Sequence, residues 1–398
     1  MRRIKIKKYL NLILPLAIIL ISGQLFGQNK EIIGCYRYWN WKQNPEVLDP
    51  GNIPYDKLTM IYYSFFYPLE SGEIVGMDPA ADRYLLKGET DSLPSDIDPG
   101  GSIIELAKPH GTKVILSVGG WETSYNFPQV AADSNRRAIF AHSCVTHIEN
   151  YGFDGIDIDW EFPGYKSHNG TDQDKYNFTK LLQTVQDSLI VLGNKNDRKY
   201  LLTASLPAAA VHLLDIEVEK ISSIVDFINI MTYDLHGSWG EISNHNSALY
   251  APAEGDPGRS LDGAFKLYNE THNVPSDKIT LCSAFYGYSY TNCKDIYSSH
   301  DGPDTNFFQP GKDILYSDIE KKMNLFERHW DSKAQAPYLI SKKESTLISF
   351  DDEEAVSLKA QYLIDNDAAG IIIWPLLGDY LDNDRTPLLD AIYQKFSR

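Results

Sequence analysis

Residues 154–161 read Asp154-Gly155-Ile156-Asp157-Ile158-Asp159-Trp160-Glu161. A β-strand alternates its side chains between two faces. One face of this octet carries Gly155, Asp157, Asp159 and Glu161, and the other carries Ile156, Ile158 and Trp160. The apolar face asks for covering helices, as on a parallel strand. The acids then point into an enclosed interior, with same-face neighbours roughly 6–7 Å apart along the strand. Asp154 has the opposite parity and is expected to fix the entry of the strand.

Outward from this octet, short β-rich runs alternate with helical stretches. The strand candidates are residues 31–36, 58–66, 113–117, 155–159, 201–205, 227–231, 279–285 and 370–374. Helical periodicity covers 103–108, 135–150, 173–192, 214–224, 260–271, 353–366 and 387–396. Eight strands alternating with helices predict an α/β chain folded as a (β/α)8 TIM barrel, with a doubly wound open sheet as the alternative. Residues 288–348 are too long for a plain crossover. They hold turn-rich sequence, an amphipathic stretch at 314–329 and strand-like pieces near 338–341 and 346–349. This reads as a small α+β insertion between strands seven and eight. The barrel then comprises 28–287 and 349–398.

The chain begins with a basic head (Arg2, Arg3, Lys5, Lys7, Lys8), an apolar run from Leu10 to Ile21, and small residues up to Gly27. That order predicts a cleaved secretory signal peptide over 1–27, with an uncleaved anchor as the alternative. Loss of the five basic residues takes the formal net charge of the 398-residue chain from −17 to −22. So acidic a surface excludes nucleic acid as a partner, since phosphate contacts need clustered Lys and Arg. A secreted, extracellular or periplasmic monomer, off the membrane once the signal is gone, is expected. Four cysteines are too few for a disulfide scaffold. Cys282 and Cys293 are close enough in sequence to pair, whereas Cys35 and Cys144 read as buried apolar residues. Asn169, Asn177 and Asn269 head formal glycosylation sequons.

Three acids in one narrow interior cannot all ionise cheaply. A proton shared among them is expected. Glu161 comes last, at the C-terminal end of its strand, where barrel active sites lie. A carboxylic acid held protonated there can serve as a general acid. A calcium or magnesium site and a chemically inert hydrogen-bond network are the competing readings. The first lacks a second acidic strand.

The octet resembles the DxxDxDxE motif of glycoside hydrolase family 18, the chitinases. Ser117, Gly119 and Gly120 resemble that family's third-strand SxGG motif. Met231-Thr232-Tyr233-Asp234 resembles its sixth-strand MxYD motif. Tyr286-Gly287 resembles the seventh-strand YG element, and Trp374 stands where the family keeps an eighth-strand tryptophan. The resemblance implies a chitinase acting on β-1,4-linked N-acetylglucosamine without a cofactor or metal. It implies substrate-assisted catalysis. Glu161 is the acid, and the substrate's own acetamido oxygen is the nucleophile. Asp159 orients the acetamide, Asp157 shares the proton and hydrogen-bonds Asp159, and Tyr233 holds the acetamido oxygen.

Chitin or N-acetyl-chitooligosaccharides are then the expected partners, with Trp374 as a stacking floor and Met231 beneath the acetamide. Asp234 and Tyr286 complete the implied set. Tyr36, Trp39, Phe65 and Trp121 follow or end the first three strands and are further cleft candidates, with packing as the alternative for each. One departure stands out: the family usually follows YG with Arg, and here Tyr288 follows Gly287. Two other functions compete with this one. An endo-β-N-acetylglucosaminidase acting on N-glycans would use the same chemistry, but the insertion suits a linear polymer better. A non-catalytic chitin-binding lectin would be expected to lack Glu161.

Overall fold

The computed structural model describes residues 30–90, 101–308, 314–382 and 384–397. The signal-peptide reading of 1–27 lies outside them. Eight parallel strands form the centre: Glu31–Arg37, Met60–Pro68, Lys113–Gly119, Gly155–Asp159, Leu201–Pro207, Phe227–Met231, Ile279–Ala284 and Gly370–Trp374. They are called first to eighth below. Each pairs with its successor, and the first pairs with both the second and the eighth, which closes the barrel.

Side-chain parity explains the closure. Outward residues such as Ile156, Ile158 and Trp160 are fully buried against helices. The Trp160 ring stacks on Phe127 at 5.3 Å and meets Phe178 edge-on at 5.3 Å. Those two rings come from the helices Phe127–Ala132 and Asp174–Asn196. Inward residues Ile33, Cys35, Met60, Tyr62, Ile115, Cys282 and Ile372 form a separate apolar cluster inside the barrel. Asp154 does fix the strand entry: its carboxylate accepts the Val114 N–H at 2.8 Å and pairs with Arg198.

Between the seventh and eighth strands lies a five-stranded antiparallel sheet. In spatial order its strands are Ile314–Leu315, Tyr286–Thr291, Thr346–Ser349, Ala336–Ser341 and Phe326–Asp331. The sheet begins at Tyr286, directly after the seventh strand. The amphipathic stretch at 314–329 is not one helix. Only Tyr316–Glu320 is α-helical, and Phe326–Asp331 is an edge strand paired with Ala336–Ser341. Sheet pairing overrides the helical periodicity there. The helices Pro79–Lys87 and Phe127–Ala132 and the hairpin strand Ile74–Gly76 add to the elements expected from sequence.

Cys282 and Cys293, close enough in sequence to pair, do not form a disulfide. All four cysteines are free and buried. Cys282 points into the barrel interior, while Cys293 packs with Tyr290, Tyr338 and Leu347 in the insertion.

Candidate active site

The inward face of the fourth strand carries Asp157 and Asp159, and Glu161 follows just past its end. Asp157 is 1% exposed and saturated with donors. Its oxygens accept Ser117 Oγ at 2.8 Å, Thr203 Oγ1 at 2.7 Å, Asn229 Nδ2 at 3.0 Å and Ser205 Oγ at 3.1 Å. Tyr62 and Thr280 extend this network, the first bonding Thr203 and the second Asn229. Burial pushes the Asp157 carboxyl up, and these donors pull it back down. Its hydrogen bonds thus run to the third, fifth and sixth strands rather than to Asp159.

Asp159 is the opposite case. It is 6% exposed, and its Oδ1 is buried without a partner. Burial, then the charges of Glu161 and Asp157, hold its carboxyl well above the usual carboxylate range. Glu161 is pushed up to about 8, chiefly by burial and then by the charge of Asp234, while the Trp121 N–H works against the shift. Asp159 and Glu161 titrate together, so at neutral pH the pair retains a proton.

The backbone at Glu161 is pinned on both sides. Its N–H donates to Ser124 Oγ at 2.9 Å, and its carbonyl meets His168 Nδ1 at 2.6 Å. His168 is held between the rings of Trp121 at 4.5 Å and Tyr125 at 4.4 Å. Gly119 and Gly120 let the third-strand turn pass against this segment. Both have left-handed φ, 127° and 91°, and a Cβ on Gly119 would lie 2.0 Å from the Asp159 carbonyl oxygen. The peptide bonds Glu161–Phe162, Ser64–Phe65 and Trp374–Pro375 are cis.

Tyr233 and Asp234 stand past the end of the sixth strand. Burial holds the Tyr233 phenol well above its ordinary value, so it stays a neutral O–H donor. Asp234 takes a left-handed φ of 54°, and its N–H donates to Asn246 Oδ1 at 2.8 Å. Its carboxylate accepts the hydroxyls of Tyr286 and, at 2.6 Å, Tyr288. Tyr286 is 4% exposed, so it holds Asp234 rather than walling the cleft. Tyr288, where the family usually has Arg, holds Asp234 too and also lines the cleft.

Behind this segment Ser247 Oγ donates to the Thr232 carbonyl at 2.6 Å and accepts Lys359 Nζ at 2.7 Å. Lys359 is fully buried and paired with buried Asp351. Burial lowers the lysine and raises the acid, and each partner's charge opposes the shift. Lys359→Met would strand the Asp351 charge. It should cost about 3–5 kcal/mol of stability in denaturant unfolding. Adding Asp351→Asn should recover much of that loss.

Trp374 ends the eighth strand and is half-buried. Phe65 stacks on it at 5.7 Å, Trp39 lies 6.1 Å away, and the Arg37 guanidinium sits 5.7 Å over its ring. Met231 packs into the interior cluster, against which Tyr233, Trp374 and Phe162 also lean. Trp121 is exposed at the cleft. Tyr36 does not reach the cleft, contrary to expectation. It is fully buried on the outward face of the first strand, stacks on Tyr63 at 6.2 Å and gives its hydroxyl to the Leu48 carbonyl. Its parity matches Ile32, not the inward Ile33 and Cys35.

An open cleft of about 710 Å³ runs from Glu161 and Trp121 past Phe162, His212 and Trp239. The sequence profile of glycosyl hydrolases family 18 matches residues 31–379. The chain belongs to that family. It is 31% identical to chitinase A1 of Niallia circulans, over 94% of this chain and 61% of that protein's length. The chain therefore spans less than two thirds of that relative. Its fold matches chitinase ChiA74 from Bacillus thuringiensis with a TM-score of 0.80 at 30% identity, covering 93% of this chain and 70% of the other. A family 18 N-acetylglucosaminidase from Paenibacillus barengoltzii matches with a TM-score of 0.76 at 28% identity, covering 92% of this chain and all of the other.

His168, Asn229, Thr203, Tyr62 and Tyr288 carry site geometry that the sequence reading did not assign. Four of them bear a signal. Tyr62, Thr203 and Asn229 are polar residues at inward parity in apolar strands, and Tyr288 shares the parity of Tyr286. His168 bears none, because it reaches Glu161 through a loop.

Proposed function

We propose that this family 18 chain hydrolyses β-1,4 bonds of chitin and N-acetyl-chitooligosaccharides by a substrate-assisted, retaining mechanism. The observation that carries this reading is the unpartnered Asp159 Oδ1, lying between a saturated Asp157 and a protonated Glu161. A buried acceptor without a donor is costly unless a ligand supplies one. The acetamido N–H of the reacting sugar is such a donor. With its nitrogen held by Asp159, the acetamide turns its oxygen to the anomeric carbon. The Tyr233 hydroxyl donates to that oxygen as the ring closes to an oxazolinium ion. With the one proton of the Asp159–Glu161 pair on Glu161, Asp159 is the ionised partner and offsets the positive charge that develops. Glu161 delivers its proton to the departing glycosidic oxygen. As a carboxylate it then takes a proton from the incoming water, and the β configuration is retained. Relatives named chitinase and N-acetylglucosaminidase support the same sugar unit. Export through the 1–27 leader belongs to the same proposal.

The test is hydrolysis of N-acetyl-chitohexaose followed by proton NMR. The β-anomer should appear first, and a cello-oligosaccharide of equal length, lacking the acetamide, should stay intact. A folded protein that releases no reducing ends from N-acetyl-chitohexaose would overturn the reading.

A further inference from the structure

We propose that Arg259 makes the leaving-group half of the cleft selective for N-acetylated over deacetylated sugar. This rests on the function proposed above. Glu161 protonates the departing oxygen, so the leaving portion of the chain lies on its side of the reacting sugar. The 710 Å³ cleft extends that way, walled by Trp121, by Tyr288 and by residues at or past the ends of the fourth, fifth and sixth strands, and Trp374 is not among its walls. Arg259 is the only lysine or arginine among the described residues that line it.

Two features mark Arg259 as poised rather than merely nearby. First, it has no carboxylate partner among the described residues, in a chain whose net charge is −17. No carboxylate of the described residues therefore competes with a ligand for its donors. Second, it is half-buried and tethered by one hydrogen bond, from Nη1 to the Leu235 carbonyl at 3.2 Å. Leu235 directly follows Asp234 and is itself fixed through its N–H to the Asn246 carbonyl at 3.0 Å. A guanidinium carries five donors in a fixed fork and never loses its charge. The remaining donors can meet the acetamido carbonyl or hydroxyl oxygens of a neutral sugar. A glucosamine unit offers an ammonium instead, which the fixed cation repels. The same charge already helps burial hold neighbouring His212 below its ordinary value, so His212 adds no second cation. His212 stacks on Phe162 at 4.7 Å and completes an apolar wall there.

The experiment digests a partly deacetylated chitosan and sequences the two sugars behind each cut by mass spectrometry. With the wild type, N-acetylglucosamine should dominate those positions. Arg259→Gln should raise the glucosamine share by about fivefold, the size of one screened like-charge contact. Arg259→Lys keeps the charge and should keep the exclusion. In the wild type, raising the ionic strength should relax it. An unchanged glucosamine share in Arg259→Gln, or in wild type across the salt series, overturns the role of Arg259. Either outcome leaves the hydrolytic function standing, provided N-acetyl-chitohexaose is cleaved. Failure to cleave that oligomer is the separate failure of the underlying reading.

Discussion

Glu161→Gln is expected to lower turnover of N-acetyl-chitohexaose by about 10²–10⁴-fold, the usual worth of a positioned general acid. Glutamine has the same shape, and its amide oxygen can still accept the Trp121 N–H. It has no proton to give to the leaving oxygen, so binding should survive while chemistry stops. Wild-type kcat/KM should in turn fall as pH rises through about 8, where Glu161 loses its proton. The same shift bears on stability. The folded state holds a proton on Glu161 that the unfolded chain releases near an ordinary carboxylate pKa. Folding therefore weakens as pH rises from that range through about 8. Glu161→Gln removes this titration, so the variant should melt above the wild type at pH 8. An active site that stores buried acid at the expense of stability predicts this pairing of lost turnover with a higher melting point. Undiminished turnover in the folded variant would remove Glu161 from the chemistry.

Much of this site is legible in the sequence because strand parity is a strict rule. The octet 154–161 places its acids inward and its apolar residues outward without reference to anything distant. The same rule applied to the first strand would have placed Tyr36 outward beside Ile32, where the core claims it. Proximity in sequence to a strand end misled where parity did not. The partners of Asp157 are harder to read. Ser117, Thr203, Ser205 and Asn229 are dispersed over three strands, and only the assembled barrel brings them to one carboxylate. The edge strand Phe326–Asp331 was hidden by a pattern compatible with a helix. Its state is set by pairing with Ala336–Ser341, which local sequence does not encode. Arg259 belongs to the same class. Nothing near it in sequence marks it, and its meaning comes from the cleft it enters and the acids it lacks.

Asp159→Asn separates the substrate-assisted step from simple acid catalysis. The variant keeps the size of the side chain and removes the charge. It can also present an amide N–H to the substrate's own N–H, a pairing of two donors. Turnover should fall by about 10²–10³-fold, as when one preorganised group facing developing charge is lost. Because the Asp159 carboxyl is held up chiefly by burial and then by Glu161, its neutral replacement should fold at least as well as the wild type near neutral pH. The loss then cannot be charged to unfolding, which thermal melting of the same sample checks. The informative comparison is with Glu161→Gln. If both variants fail on N-acetyl-chitohexaose, the acid and the acetamide-orienting carboxylate act in one step, as the unpartnered Asp159 oxygen implies. If Asp159→Asn keeps wild-type turnover while Glu161→Gln does not, the acetamide is not the nucleophile. A water would then have to attack directly, the α-anomer would appear first by NMR, and the mechanism proposed here would be replaced by an inverting one.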